Sequence, residues 1–261
     1  MPFDESRYEE LHHGGMIGSL VHYRERTAST MDDARAGAAA LRGEGCGDAY
    51  LADEQTAGRG RFRRPWVDAP GASLLVTFHL CVLDIAYAPL VGLAGALAAA
   101  DAVTEASGVE TELKWPNDML AGGRKLAGIL AEAQPGGVEA DVFLGIGINM
   151  REAAIAGLSE AERAVATTIE SEGAAPPSVE ELLAALSEAL ERRLAEVDSE
   201  PERLLAGWRA RLGMLGSRVR LSTTDGDIEG VAEDVTAEGQ LVLRLDGGGT
   251  HSFAAGDVTV L

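Results

Sequence analysis

A chain of 261 residues, 46% hydrophobic and 25% charged, reads as globular and is long enough for one large core with a smaller unit beside it. A net charge of −20 argues against nucleic acid as the main partner, because phosphate contacts need basic surface. The most apolar stretch, 89–106, carries Asp101 and Glu105, and the first ten residues hold no apolar signal segment; no membrane partner is expected, and the cytoplasm is the expected compartment.

Residues 19–25 alternate and predict a strand. Residues 29–45 predict a helix: Ser29 or Thr30 caps it, Asp32 and Asp33 sit in its first turn, and Gly43 marks its end. A short strand over 49–54 leads into TAGRGRFRRPW, residues 56–66, where four of eleven residues are arginine. A buried strand over 72–80 and an alanine-rich core helix over 89–106 follow. Residues 109–115 alternate and end in a turn at Pro116-Asn117-Asp118. Strands over 125–133 and 141–150 form a hairpin through the turn residues 135–137. Helices over 178–198, after Pro176-Pro177, and over 201–212 close the larger unit. From about Leu215, short strands separated by DG, EG and GGG turns predict a small β-barrel. Cys46 and Cys81 make neither a disulfide framework nor a metal spacing, and His12-His13 fall in a mobile N-terminal stretch, so no metal ligand set is expected.

Three segments carry candidate chemistry. The arginine–glycine segment has two readings, a solvated basic flexible loop or donors gathered around a phosphate or carboxylate, and residues 57–66 are expected to be mobile without ligand and to order on binding it. It is not a Walker A loop. Lysine is nearly absent: of 22 basic residues only Lys114 and Lys125 are lysines, both inside 113–128. Genomic bias explains the scarcity, and the two that remain mark places needing a compact ammonium rather than a guanidinium fork. Lys114 ends a strand, where it is either a surface lysine or a stabiliser of developing negative charge. The alternating glycines of GIGINM, 145–150, fit tight packing or close approach by a ligand. No Ser/His/Asp arrangement is visible.

Taken in order, Ser29-Thr30, the run Gln55 to Arg61, Trp66, Lys114-Trp115-Pro116-Asn117-Asp118, Arg124 to Leu130 and Gly147-Ile148-Asn149 closely resemble biotin protein ligase. The resemblance covers the chain from about Val21. It implies an α+β fold, a mixed β-sheet backed by helices of the class II synthetase/biotin ligase kind. A catalytic domain over 1–213 and a C-terminal SH3-like β-barrel over 214–261 are implied. It implies ATP and biotin as substrates, Mg²⁺ as activating ion, and a carboxylase's biotin carboxyl carrier domain as partner. Lys114 and Arg59 are the expected catalytic residues. Ser29, Thr30, Met31, Gln55, Gly58, Arg59, Gly60, Arg61, Lys114 and Gly128 are the expected biotin site. Arg59, Arg61, Trp66 and Asn149 are the expected nucleotide site, with Lys125 placed near it.

Two positions depart from the family pattern. Met31 stands where asparagine is usual, and Arg63 where glycine is common. The short stretch before the first strand predicts no DNA-binding domain and no DNA partner. The family includes monomers and dimers, which makes a homodimer one expectation. A lipoate or octanoate ligase or transferase of the same fold is the alternative; GRGR before tryptophan, with KWPND, favours biotin.

Overall fold

The computed structural model describes residues 2–40, 45–82, 85–135 and 140–261. Helix α1 (Glu5–Leu11) opens the chain, with the Asp4 side chain accepting from Arg7 N–H as an N-cap. The expected mobility of this segment is corrected here. Tyr8 is buried, its hydroxyl donates to Gly18 O at 2.8 Å, and Asp4 N–H donates to Glu180. One buried aromatic among polar neighbours gave no periodic signal that the segment docks.

Strand β1 (Val21–Thr27), helix α2 (Thr30–Ala40), strand β2 (Ala49–Gln55) and strand β3 (Ser73–Val82) follow. The stop expected at Gly43 lies outside the described residues. Helix α3 (Ala88–Ser107) ends at Gly108, whose φ of +75° gives a left-handed cap. Its segment is the one among the described residues long and apolar enough to cross a membrane, and here it is a largely buried core helix.

Strands β4 (Glu112–Lys114), β5 (Asp118–Ala121), β6 (Arg124–Pro135) and β7 (Ala140–Asn149) complete the main sheet. The sequence reading missed β5, which follows directly on the Pro116–Asp118 turn. The β6–β7 hairpin is as expected, though its turn residues Gly136-Gly137 lie outside the described residues. Helices α4 (Glu160–Ala164), α5 (Val179–Ser199) and α6 (Pro201–Arg211) come next. A capping box, Ser178 with Glu181, starts α5. Five short strands end the chain: β8 (Arg218–Thr223), β9 (Gly226–Val235), β10 (Leu241–Leu245), β11 (Thr250–Phe253) and β12 (Asp257–Val260).

The larger sheet has the order β1-β2-β3-β7-β6-β5-β4, with β1 and β2 parallel and the remaining neighbours antiparallel. It is the expected mixed sheet backed by helices. Alternation divides each strand between its two faces. On β7, Val142, Leu144, Ile146 and Ile148 belong to the main core with α3 and α5. Phe143 faces the other way, into a smaller cluster with Met31, Ala34 and Ala38 of α2. Gly145 and Gly147 share its side and leave the sheet bare there.

The second sheet, ordered β11-β10-β9-β8-β12, buries Val219, Leu221, Leu241 and Leu243 in continuity with the main core. Trp115, expected in the core, is buried and donates its indole N–H to Gly239 O at 2.9 Å, fastening the two sheets.

The reading of the cysteines is corrected. Cys46 and Cys81 are disulfide-bonded, with Cα atoms 5.6 Å apart across 35 positions of sequence. The β2–β3 register explains it: carried three residues past the Ala49↔Phe78 pair, it brings Cys46 opposite Cys81. Spacing along the chain cannot show this, because strand register is a tertiary property.

Candidate active site

A cavity of about 350 Å³ opens on the glycine-bearing face of the main sheet. The start of α2, the end of β2, the arginine loop and strands β3, β6 and β7 enclose it, and Asp257 of the C-terminal barrel closes one side.

A polar corner forms where three elements meet. Thr30 at the start of α2 donates both its N–H and its hydroxyl to Gln55 Oε1, at 2.9 and 3.2 Å. Its hydroxyl also lies 2.9 Å from the Thr77 hydroxyl on β3. Ser29 is buried beside them, and its carbonyl accepts from Asp32 and Asp33 N–H. Met31 packs its methyl against Gly145, filling with an apolar group the place where the resemblance led one to expect asparagine.

The loop over 56–66 is a small closed turn. Trp66 N–H donates to Gly58 O, and Gly60 N–H to Arg64 O. Gly58 lines the loop's outer side, not the cavity; a Cβ there would meet Gln55 at 3.0 Å and Trp66 at 3.4 Å. The Trp66 indole lies against Gly128 and Gly147, and its buried Nε1 has no hydrogen-bond partner among the described residues.

The arginines are answered by acids of the protein itself. Arg59 clasps Asp32 through two nitrogens, at 2.6 and 3.0 Å. Those bonds hold the Asp32 carboxyl below its ordinary range and push the Arg59 guanidinium up. Arg61 donates to Gly256 O at 3.2 Å and to Asn117 Oδ1 at 3.4 Å, and burial pulls its guanidinium down. Arg64 pairs with Asp257 at 2.6 Å. The loop is therefore tied at three arginines, to α2, to the Asn117 turn and to the barrel. Bidentate guanidinium geometry suits a carboxylate or a phosphate equally, so Asp32 occupies a place an anionic ligand can take.

Arg63 differs from its neighbours. It sits at φ +57°, following Phe62 at φ +54°, in the region that costs an L-residue about 1 kcal/mol or more. Glycine, which the resemblance led one to expect at this position, adopts that conformation without strain. Replacing Arg63 with glycine is expected to raise stability by up to about 1 kcal/mol, relief of strain outweighing the added freedom of the unfolded chain. Arg64→Gly, at φ −62° and with the Asp257 pair removed, is expected to lower it. Thermal melts of the two variants give the comparison; equal losses would sink the strain reading.

The two lysines separate. Lys125 Nζ lines the cavity, 2.6 Å from Asp118 Oδ1 and 5.7 Å from the centre of the Trp66 ring. Lys114 pairs with Asp118 along the β4–β5 ladder and does not line the cavity. The β5–β6 register shifts after Met119↔Ala127 to Leu120↔Lys125. This irregularity lets Leu126 join the core and turns Lys125 to the cavity side.

These features are those of a known group of enzymes. The biotin/lipoate A/B protein ligase family model matches residues 25–149, and that of the biotin protein ligase C-terminal domain matches 214–261. The chain is 38% identical over 222 residues to a biotin–acetyl-CoA-carboxylase ligase of Mycobacterium tuberculosis, covering 82% of this chain and 79% of that one. This chain belongs to the biotin protein ligase family. A second ligase of that description, from Paracoccus denitrificans, is 36% identical over 202 residues, 74% of this chain and 82% of that one. The fold matches that of the Aquifex aeolicus biotin protein ligase solved with biotin and ATP, at a TM-score of 0.75 and 24% identity, covering 93% of this chain and 99% of that one.

Of the expected site residues, the ligase brings Ser29, Thr30, Met31, Gln55, Arg59, Gly60, Arg61, Trp66 and Gly128 around one cavity. Lys114, Gly58 and Asn149 stand off it. Asn149 is buried and donates to Thr167 O at 3.1 Å, tying the end of β7 to the following segment. Sequence reasoning missed Asp32, Thr77, Asp118 and Asp257. Asp32 carried only the signal of a helix first turn, Asp118 only that of a residue in the 116–118 turn and its motif, and Thr77 and Asp257 had none.

Proposed function

We propose that this ligase activates biotin with ATP and then passes it to one lysine of a carboxylase carrier domain. In the first step a biotin carboxylate oxygen attacks the α-phosphorus of ATP, giving biotinoyl-5′-AMP and pyrophosphate. In the second, the carrier lysine's amine attacks the acyl carbon and AMP leaves. The observation carrying this reading is the gathering of Arg59, Arg61 and Lys125 beside the Thr30–Gln55–Thr77 corner in one cavity.

The first step brings two anions together, and their repulsion grows as water is excluded. Three fixed cations offset it, most strongly where charge develops between carboxylate and phosphorus. Lys125, held by Asp118 and projecting into the cavity, takes that place, which the motif had assigned to Lys114. Arg59 exchanges Asp32 for the ligand, so the acid keeps the guanidinium paired until substrate arrives. The Thr30–Gln55–Thr77 corner offers the paired donors and acceptors that the ureido head requires. The Trp66 indole, fixed on two glycines, supplies a flat platform for adenine. Mg²⁺ enters with ATP as part of the nucleotide substrate, and the cytoplasm supplies both ATP and the carboxylase.

Isotopic exchange between pyrophosphate and ATP tests the reading. Exchange is expected with biotin and not with lipoate. Exchange supported by lipoate alone would overturn it.

A further inference from the structure

The far end of strands β3 and β7 holds a second set of donor atoms, on the same strands that wall the cavity. Strand periodicity puts His79 and Cys81 on one face, and the register sets Asp141 directly opposite Cys81. Cys46 joins them from the turn before β2. His79 Nε2 lies 2.8 Å from Asp141 Oδ1 and 3.9 Å from Cys81 Sγ, and that sulfur lies 3.9 Å from the same oxygen. The imidazole is fully buried, with Nδ1 3.1 Å from Gly45 O. When Nδ1–H donates to that carbonyl, the lone pair of Nε2 faces a carboxylate and a sulfur. Such a meeting of acceptors needs a proton or a cation between them. A backbone carbonyl fixing the remote nitrogen is also the usual support of a metal-bound histidine.

We propose that in the reduced protein Cys46, Cys81, His79 and Asp141 bind one divalent zinc-class cation. Tetrahedral Zn²⁺ at ordinary bond lengths sets its ligands about 3.3–3.8 Å apart. The observed separations among His79, Cys81 and Asp141, 2.8 to 3.9 Å, bracket that range, and Cys46 reaches it once the disulfide is reduced and the sulfurs part. Asp141 is one-third exposed and Cys81 is exposed, which lets the carboxylate adjust and gives the ion an entry path. Gly45 and Gly47 flank Cys46 at φ +84° and +96°, a backbone able to let the sulfurs part.

The chemistry balances. Two small-molecule thiols reduce the protein disulfide to two cysteine thiols and leave as their own disulfide. Zn²⁺ then displaces one proton from each cysteine, forming two Zn–S bonds. In a reducing compartment the ion thus replaces the disulfide as the tether between the 45–47 turn and the end of β3.

Titration of the full chain with Co²⁺, after phosphine reduction and removal of the reductant, tests this. One equivalent is expected to give thiolate-to-cobalt charge-transfer bands and a tetrahedral visible spectrum, both abolished by Zn²⁺. Zn²⁺ is expected to raise the melting temperature of the reduced protein only. Cys46→Ser and Cys81→Ser are each expected to halve the charge-transfer intensity. Asp141→Asn is expected to weaken binding at least tenfold with both thiolates kept; because His79 is buried and its loss endangers folding, this variant carries the test of the non-sulfur ligands. Reduced protein that takes up no stoichiometric ion, or a Co²⁺ spectrum unchanged when both cysteines are serine, would overturn the proposal and leave a structural disulfide.

Discussion

Lys125→Gln is expected to slow biotinoyl-adenylate formation on the order of 10²–10³-fold, the usual cost of removing one preorganised charge from a reacting centre. Biotin affinity is expected to change only a few-fold, because the ammonium interacts most strongly with charge present in the transition state. The geometry behind this is specific. Asp118 holds Nζ at 2.6 Å, and the register shift in β5–β6 aims the side chain into the cavity. Lys114→Gln is the comparison. It removes the same charge from the adjoining ladder position, outside the cavity, and is expected to cost far less. Single-turnover adenylate formation, with biotin binding measured separately by calorimetry, distinguishes the two. A larger loss at Lys114 than at Lys125 would return the role to the lysine of the KWPND motif.

Gly147→Ala is expected to lower adenylate formation on the order of 10²-fold, because it moves the indole and the arginine loop attached to it out of alignment. Gly128 and Gly147 face each other across the β6–β7 ladder and together form the slot for Trp66. A Cβ at Gly147 would stand 2.8 Å from the indole, and one at Gly128 2.9 Å. Gly147 is paired on both sides, to Leu75 and to Gly128, so the backbone cannot retreat and the ring must. Overpacking of this kind is expected to cost about 1–3 kcal/mol in stability as well. Gly92→Ala is the control: its Cβ would meet only Ala131, at 3.6 Å, inside α3, where alanine is the better helix former. Combining Gly147→Ala with Trp66→Phe, whose smaller ring relieves the clash, is expected to give less than the sum of the separate losses. Additive losses would separate the glycine from the indole.

The opposite signs within residues 56–66 and their surroundings settle why so acidic a chain concentrates arginine there. Arg59 and Arg64 are neutralised by Asp32 and Asp257 in the free protein, and Arg61 is left with carbonyl partners and a distant acid. Of the four, Arg63 has no ion pair among the described residues and sits in strained backbone. The segment is thus not simply a basic loop awaiting an anion. Its closed turn is held by protein carboxylates, and on the proposed function ligand oxygens would take the place of Asp32.

Much of the molecule was legible in residue order. Local periodicity marked α2, α3, α5, β2, β3 and the β6–β7 hairpin, and turn residues marked the C-terminal barrel, because each depends on contacts within a few positions. The residues of the GRGR, KWPND and RKLAG motifs, with Ser29-Thr30 ahead of them, determined the chemistry. Three-dimensional structure decided which of them converge. Alternation alone puts Lys125 on the same side as Ala127 and Ile129, facing the helices; the register shift at Leu126 reverses it. Strand register, over 35 positions, joins Cys46 to Cys81 and sets Asp141 against both Cys81 and His79. Packing of the barrel brings Asp257 to the cavity and Gly256 to Arg61 of its arginine loop, 195 positions away in sequence. The sequence by itself determined the elements and the reactive groups, which are local. Register and domain packing, which are not, determined which lysine, which acids and which cysteines meet.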